Sequence, residues 1–162
     1  MNTRRVLKST AIFVFLVLLH YSVRPLTGTR VTIDFLVIAV LLLAVRLRPG
    51  GAAFVGFATG LITDSLTPLS LGAGGLALTV IGFLASWLKA VFFADNVLLH
   101  GMFFFAGKWA YDVLYLLAER QMDAGTMLVQ LVWWSPLSAL ATALVGVLLI
   151  LVLRTSLEPQ AA

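Results

Sequence analysis

The stretch GFATGLITDSLTPLSLGAGG, residues 56–75, decides how this chain is read. It runs like a membrane helix until Asp64 places a carboxylate at the end of the apolar run. A proline and a cluster of glycines follow. At about 100° per residue, Ala53, Gly56, Gly60 and Asp64 fall within an arc of about 80°, while Phe54, Phe57 and Leu61 point the other way. One face of this helix is therefore small and ends in an acid, and the other is bulky. Small residues four apart let helix backbones approach closely in lipid, where packing rather than hydrophobic burial drives association. The glycine face reads as a helix–helix seam. Asp64 reads as a cap that accepts backbone N–H groups of the Thr67–Gly72 loop or of the next helix's first turn. Contact with a partner or ligand is the alternative for Asp64.

Working outward, the composition says what surrounds that helix. The 162 residues are 61% hydrophobic and 11% charged, with a mean hydropathy of +1.05. Soluble domains carry about 25% charged residues. A chain this short cannot hide so much apolar surface inside itself, so lipid is the expected solvent. The net charge is +4. The basic residues sit between apolar blocks, which makes them topology signals and argues against nucleic acid as a partner. With no cysteine, disulfides, iron–sulfur clusters and thiolate catalysis are excluded.

Six apolar blocks follow one another, at about residues 6–23, 31–46, 51–66, 72–93, 97–118 and 128–153. A spanning helix needs about 17–25 residues. The second and third blocks are short for this, and read as spans across a thinned region or as a re-entrant pair. Basic residues decide for full crossing. With the N-terminus inside, Arg4, Arg5, Lys8, Arg46, Arg48, Lys89 and Arg154 face the cytoplasm, against Arg24, Arg30 and Arg120 outside. The expectation is an all-α polytopic membrane protein, a single domain over residues 1–162, forming a compact six-helix bundle with both termini inside. TRRVLKS, residues 3–9, resembles a twin-arginine export signal, but no small-residue cleavage site precedes Arg24, so the segment reads as an anchor. RPGG, residues 48–51, is a tight inner turn. Residues 67–75 and 119–125 form outer loops, Trp133 and Trp134 belong to an interfacial belt, and Pro136 kinks the last helix or starts its straight part.

The fifth block carries the other polar signal. Lys108 and Asp112 stand four apart in GKWAYDVLYLLAER and can pair within the helix. Gly101, Tyr115 and Glu119 share their stripe. An ion pair in a membrane helix turns toward protein or water. A self-neutralised pair facing the bundle is one reading, and contact of Lys108 or Asp112 with Asp64 or a partner helix is the other. The two short spans leave room for a wet recess near these groups, which sequence does not decide. His20 and His100 read as packing or interface residues, since two lone histidines make no metal site. No Ser–His–Asp order, H-E-x-x-H motif or phosphate-binding glycine loop is present. Neither enzyme chemistry nor a cofactor is expected.

The run from Ile33 to Ser86 resembles the rod shape-determining MreD family of bacterial inner-membrane proteins. The matching elements are an acid opening the second span (Asp34), an Arg-rich turn (Arg46, Arg48), the G-x-x-x-G-x-x-x-D run (Gly56, Gly60, Asp64) and the L-G after a short loop (Leu71, Gly72). Length and span count agree over essentially the whole chain, whereas the last two spans match in hydropathy only. The resemblance implies a non-enzymatic scaffold or regulatory subunit of the cell-elongation machinery. Its partners would be an MreC-type shape protein and the peptidoglycan synthase formed by a SEDS glycosyltransferase and its transpeptidase. It also implies a likeness in architecture to the six-helix substrate-binding subunits of energy-coupling-factor vitamin transporters. A solute-binding transporter subunit, with a pocket near Asp64, Lys108 and Asp112, is therefore the alternative function. Gly56, Gly60, Asp64, Gly72, Lys108 and Asp112 are the candidate packing or partner-binding residues.

Overall fold

The computed structural model describes residues 3–23, 31–66, 71–92, 96–119 and 123–157. Arg24, Arg30 and Arg120 lie outside these, as do residues 67–70 and 120–122 of the expected outer loops. The described residues form helices and no strand. In chain order these are α1 (Thr3–Val23), α2 (Phe35–Ala44), α3 (Pro49–Asp64), α4 (Ala73–Phe92), α5 (Val97–Glu119), α6 (Ala124–Val129) and α7 (Ser135–Leu157). A π-helical stretch, Gln130–Trp134, joins α6 to α7, so the described residues make six helical rods. Residues Gly125–Val152 are long and apolar enough to cross a membrane, and Ser9–Val23, Phe35–Ala44 and Ala73–Lys89 are shorter apolar helices.

α2 is the central helix. It is apolar all round, and Phe35 to Leu41 and Ala44 are buried against α1, α3, α4, α5 and α7. A helix without a polar face has to be covered on every side. The helix here is shorter than the apolar block at residues 31–46. α2 has 10 residues, about 15 Å of rise, because Asp34 caps its N-terminus. The Asp34 carboxylate accepts the Val37 N–H at 3.3 Å. The chain ahead of the cap is not helical, and its donors go to α7: Thr32 N–H to Ser138 Oγ at 3.3 Å and Asp34 N–H to Thr142 Oγ1 at 3.1 Å. At the other end, the Leu47 carbonyl accepts from Ser86 Oγ at 2.7 Å and from Lys89 Nζ at 2.9 Å. Arg46 donates to Ser9 Oγ. Arg46, Lys89 and the start of α1 therefore share one end of the bundle.

α3 and α4 form the tightest pair. A Cβ on Gly60 would stand 2.5 Å from Gly74 O and from Gly75 Cα, one on Gly56 would strike the Leu78 carbonyl, and one on Gly82 would lie 2.6 Å from Ala52 O. Backbone meets backbone along this seam. Ala52, at 1% exposed, is its inner residue where the helical arc pointed to Ala53. Phe54, Phe57 and Leu61 turn outward and are exposed.

The last rod owes its shape to Pro136. Proline offers no N–H to the preceding turn. Just ahead of it the Ser135 N–H bonds to Gln130 O, one residue further back than in an α-helix. The bypassed Leu131 carbonyl takes the Trp109 indole N–H from α5 at 3.5 Å. Of the two readings for Pro136, a kink or the start of the helix's straight part, the structure has α7 starting beside it after a π turn, and the rod begins at Ala124 where the sequence placed it near residue 128.

Candidate functional site: a buried charge network and its cavity

Lys108 lies at the midpoint of α5 and is 4% exposed. An ammonium so placed needs anionic partners, and it has two. Its Nζ donates to Asp112 Oδ1 at 2.6 Å, one helical turn along. It also donates to Asp34 Oδ2 at 3.0 Å, from the cap of α2. The Tyr111 ring lies beneath the ammonium, 5.0 Å from Nζ to centroid, within cation–π range. His20, from the last turn of α1, brings Nδ1 to 3.4 Å from Asp34 Oδ1 and meets the Tyr21 ring edge-on. Four groups from three helices thus converge. With His20 neutral, two carboxylates face one ammonium and the network carries net charge −1.

Asp64 ends α3 and is 1% exposed. One oxygen, Oδ2, accepts the Gly72 N–H at 2.9 Å and the Gly75 N–H at 2.9 Å. The carboxylate sits on the positive end of α4, where it is stabilised by the unpaired N–H groups of the first turn. Gly72 adopts φ +98°, a backbone conformation costly to residues with a Cβ. That bend turns its N–H to Asp64 while its carbonyl accepts the Leu76 N–H at 2.9 Å. Asp64 packs against Gly74, whose Cβ would overlap Oδ1.

The two acid centres border one cavity of about 230 Å³. Its walls include His20, Asp34, Thr63, Asp64, Lys108, Tyr111, Asp112, Tyr115, Glu119, Gln130 and Ser135. At about 30 Å³ per water it has room for about seven. The π turn shapes one wall, since Gln130 opens it and Ser135 follows it. Ser135 is 1% exposed, and its hydroxyl is close to Asp112.

Several sequence expectations meet this geometry differently. Lys108 and Asp112 pair within α5. Neither bonds to Asp64 among the described residues, because Asp34 and the α4 amides take the available positions. Tyr115 and Glu119 share the cavity with Lys108. Gly101 does not. It lines a separate apolar groove between α5 and α7 with Leu98, Met102 and Leu144. Asp34 and His20 are not among the candidate residues that the sequence offers. The signal for Asp34 is an acid immediately before a wholly apolar helix. No comparable signal exists for His20, whose role follows from α1 lying beside α2. Among the described residues no group of three His, Asp or Glu side chains is placed to hold a metal ion. Compared with protein-family models, with curated proteins and with solved structures, the chain matches none.

Proposed function

We propose that this chain is a non-enzymatic membrane subunit of the bacterial cell-elongation machinery, resident in the inner membrane and crossing it six times with both termini inside. The observation that carries the reading is the unit formed by the G-x-x-x-G-x-x-x-D run. Gly56 and Gly60 bring α3 onto the backbone of α4, and Asp64 ties its end to Gly72 and Gly75. Gly56, Gly60, Asp64 and Gly72 of the MreD resemblance thus belong to one close-packed hairpin, suited to presenting a fixed surface to a partner helix.

Two further observations support the membrane setting. Large apolar side chains stand exposed on every rod except the central α2, among them Phe54 at 71%, Leu98 at 70% and Trp133 at 66%. In water these would form patches well beyond the few hundred Å² usual on soluble monomers. The shortness of α2 is also compatible with a crossing. Residues 31–34 add up to about 13 Å at 3.3 Å each, and non-helical backbone is tolerated at membrane depth where protein covers it. The partners on this reading are an MreC-type shape protein and, through it or directly, the SEDS glycosyltransferase and its transpeptidase, with lipid around the rest. Depletion of the protein is expected to turn rods into spheres, and an MreC-type protein should co-purify from native membrane. A deletion strain that stays rod-shaped with normal wall incorporation would overturn the proposal.

A further inference from the structure

We infer that the end of the bundle carrying the α2–α3 turn is a docking surface for anionic phospholipid, held through the headgroup phosphate. This rests on the membrane setting proposed above and is independent of the role in cell elongation.

The charges of the chain are divided between its two ends. Asp34 opens α2, Asp64 closes α3, Asp112 and Glu119 lie in the second half of α5, and Asp123 opens the last rod. Five of the seven acids therefore belong to one end. The opposite end takes Arg4, Arg5 and Lys8 in the first two turns of α1, and Arg46 and Arg48 between α2 and α3. It also takes Lys89 in the last turn of α4 and Arg154 in the last turn of α7. With Asp95 and Glu158 counted against these basic residues, that end carries +5 over the whole sequence. An anionic leaflet complements such an end.

Topology alone asks only for a count of basic residues near the span ends. The fold does more, because it brings three of them onto one turn. Lys89 comes from 42 positions away, and its Nζ donates to the Leu47 carbonyl at 2.9 Å, between Arg46 and Arg48 in the chain. Ser86 donates to the same carbonyl at 2.7 Å, which fixes the end of α4 to the turn. Arg46 gives one guanidinium nitrogen to Ser9 Oγ. Both arginines are exposed, and Lys89 is half-buried. The ion pairs among the described residues lie at the other end, on Asp34 and Asp112. Arg46 and Lys89 are thus held by neutral oxygens and keep their charge and their remaining N–H donors. A phosphate diester offers two charged oxygens, which a guanidinium fork and an ammonium match. Depth selects a lipid phosphate over a soluble one. Trp87 is exposed on α4 two residues before Lys89, and an exposed indole settles at headgroup level.

The test uses the purified full-length chain in neutral micelles. Phosphatidylglycerol and phosphatidylcholine of the same acyl chains are titrated in, and retained lipid is counted by native mass spectrometry. Glycerol phosphate serves as the soluble competitor. The expected result is phosphatidylglycerol retained at least about tenfold more tightly than phosphatidylcholine, with the preference weakened by salt. Arg46→Gln and Arg48→Gln should each weaken phosphatidylglycerol retention by about fivefold, and together by about 25-fold. Both side chains are exposed, so both variants should fold. Arg120→Gln removes the same charge from the segment after α5 and should leave retention unchanged. Equal retention of the two lipids overturns the inference. So does competition by glycerol phosphate at the lipid's own concentration, which would mark a site for soluble phosphate. An equal loss in Arg48→Gln and Arg120→Gln also overturns it, since net charge alone would then be read. The membrane setting is checked separately, by partition of the chain into a detergent phase, and the elongation role by cell shape.

Discussion

Lys108→Met is the most informative single change. Lys108 is buried with 4% of its surface exposed, and Asp34 with 8%. Removing the ammonium leaves the Asp34 and Asp112 carboxylates converging on the vacated point. Breaking a buried ion pair by deleting one partner costs about 3–5 kcal/mol, because the survivor is left uncompensated. Two survivors remain here, but they are close enough to share one proton, so their costs do not simply add. A loss of about 3–5 kcal/mol is therefore expected. For a chain of 162 residues this lowers the unfolding midpoint by on the order of 10 °C. Lys108→Met combined with Asp34→Asn and Asp112→Asn removes all three charges, and the asparagine at the cap of α2 keeps a side-chain oxygen for the Val37 N–H. That triple variant should return to within about 2 kcal/mol of the parent, since neutralising a whole buried network is often nearly free. The assay is reversible unfolding in mixed micelles, followed by the fluorescence of the tryptophans, of which Trp109 is adjacent to Lys108. A single variant that loses less than about 1 kcal/mol, or a triple variant as unstable as the single one, would refute the reasoning. Either outcome would mean that the network does not hold α2 against α5.

Gly60→Ala should cost about 1–3 kcal/mol, because its Cβ would meet backbone of α4 at 2.5 Å; Gly101→Ala, 3.7 Å from the nearest neighbour, should be neutral or stabilising by up to about 1 kcal/mol, and equal effects in the same unfolding assay would deny the α3–α4 seam. Asp64→Ala leaves two amides without their acceptor and should cost about 1–3 kcal/mol, while Asp64→Asn keeps an oxygen and most of the stability; hydrogen exchange at Gly72 and Gly75 would report the difference directly. Gly72→Ala meets no crowding, yet the positive φ should cost about 1–2 kcal/mol, read as a lower midpoint with an unchanged circular-dichroism spectrum.

Much of the helical layout was legible because apolar periodicity is a local property. The blocks at residues 51–66, 72–93 and 97–118 fall within two residues of α3, α4 and α5 at either end. The second block runs past both ends of α2 for an equally local reason. Hydropathy does not distinguish helix from covered extended chain, so the cap at Asp34 was merged into the span. The π turn was hidden likewise, since Pro136 announces a disturbance without saying how the freed carbonyls are reused.

Residue order alone was enough for an all-helical chain, a small-residue face ending in Asp64, and a Lys108–Asp112 pair one turn apart. Each of these depends on residues within a few positions of one another, where helical geometry sets the distance. It took the packed bundle to share Lys108 with Asp34, 74 positions away, and to stand His20 beside them. A buried charge can take any opposite charge that the packing brings near, and packing is a property of the whole bundle. The cavity has the same origin: its walls come from α1, α3, α5 and the last rod together with the approach to α2, and no one segment of the chain carries its outline.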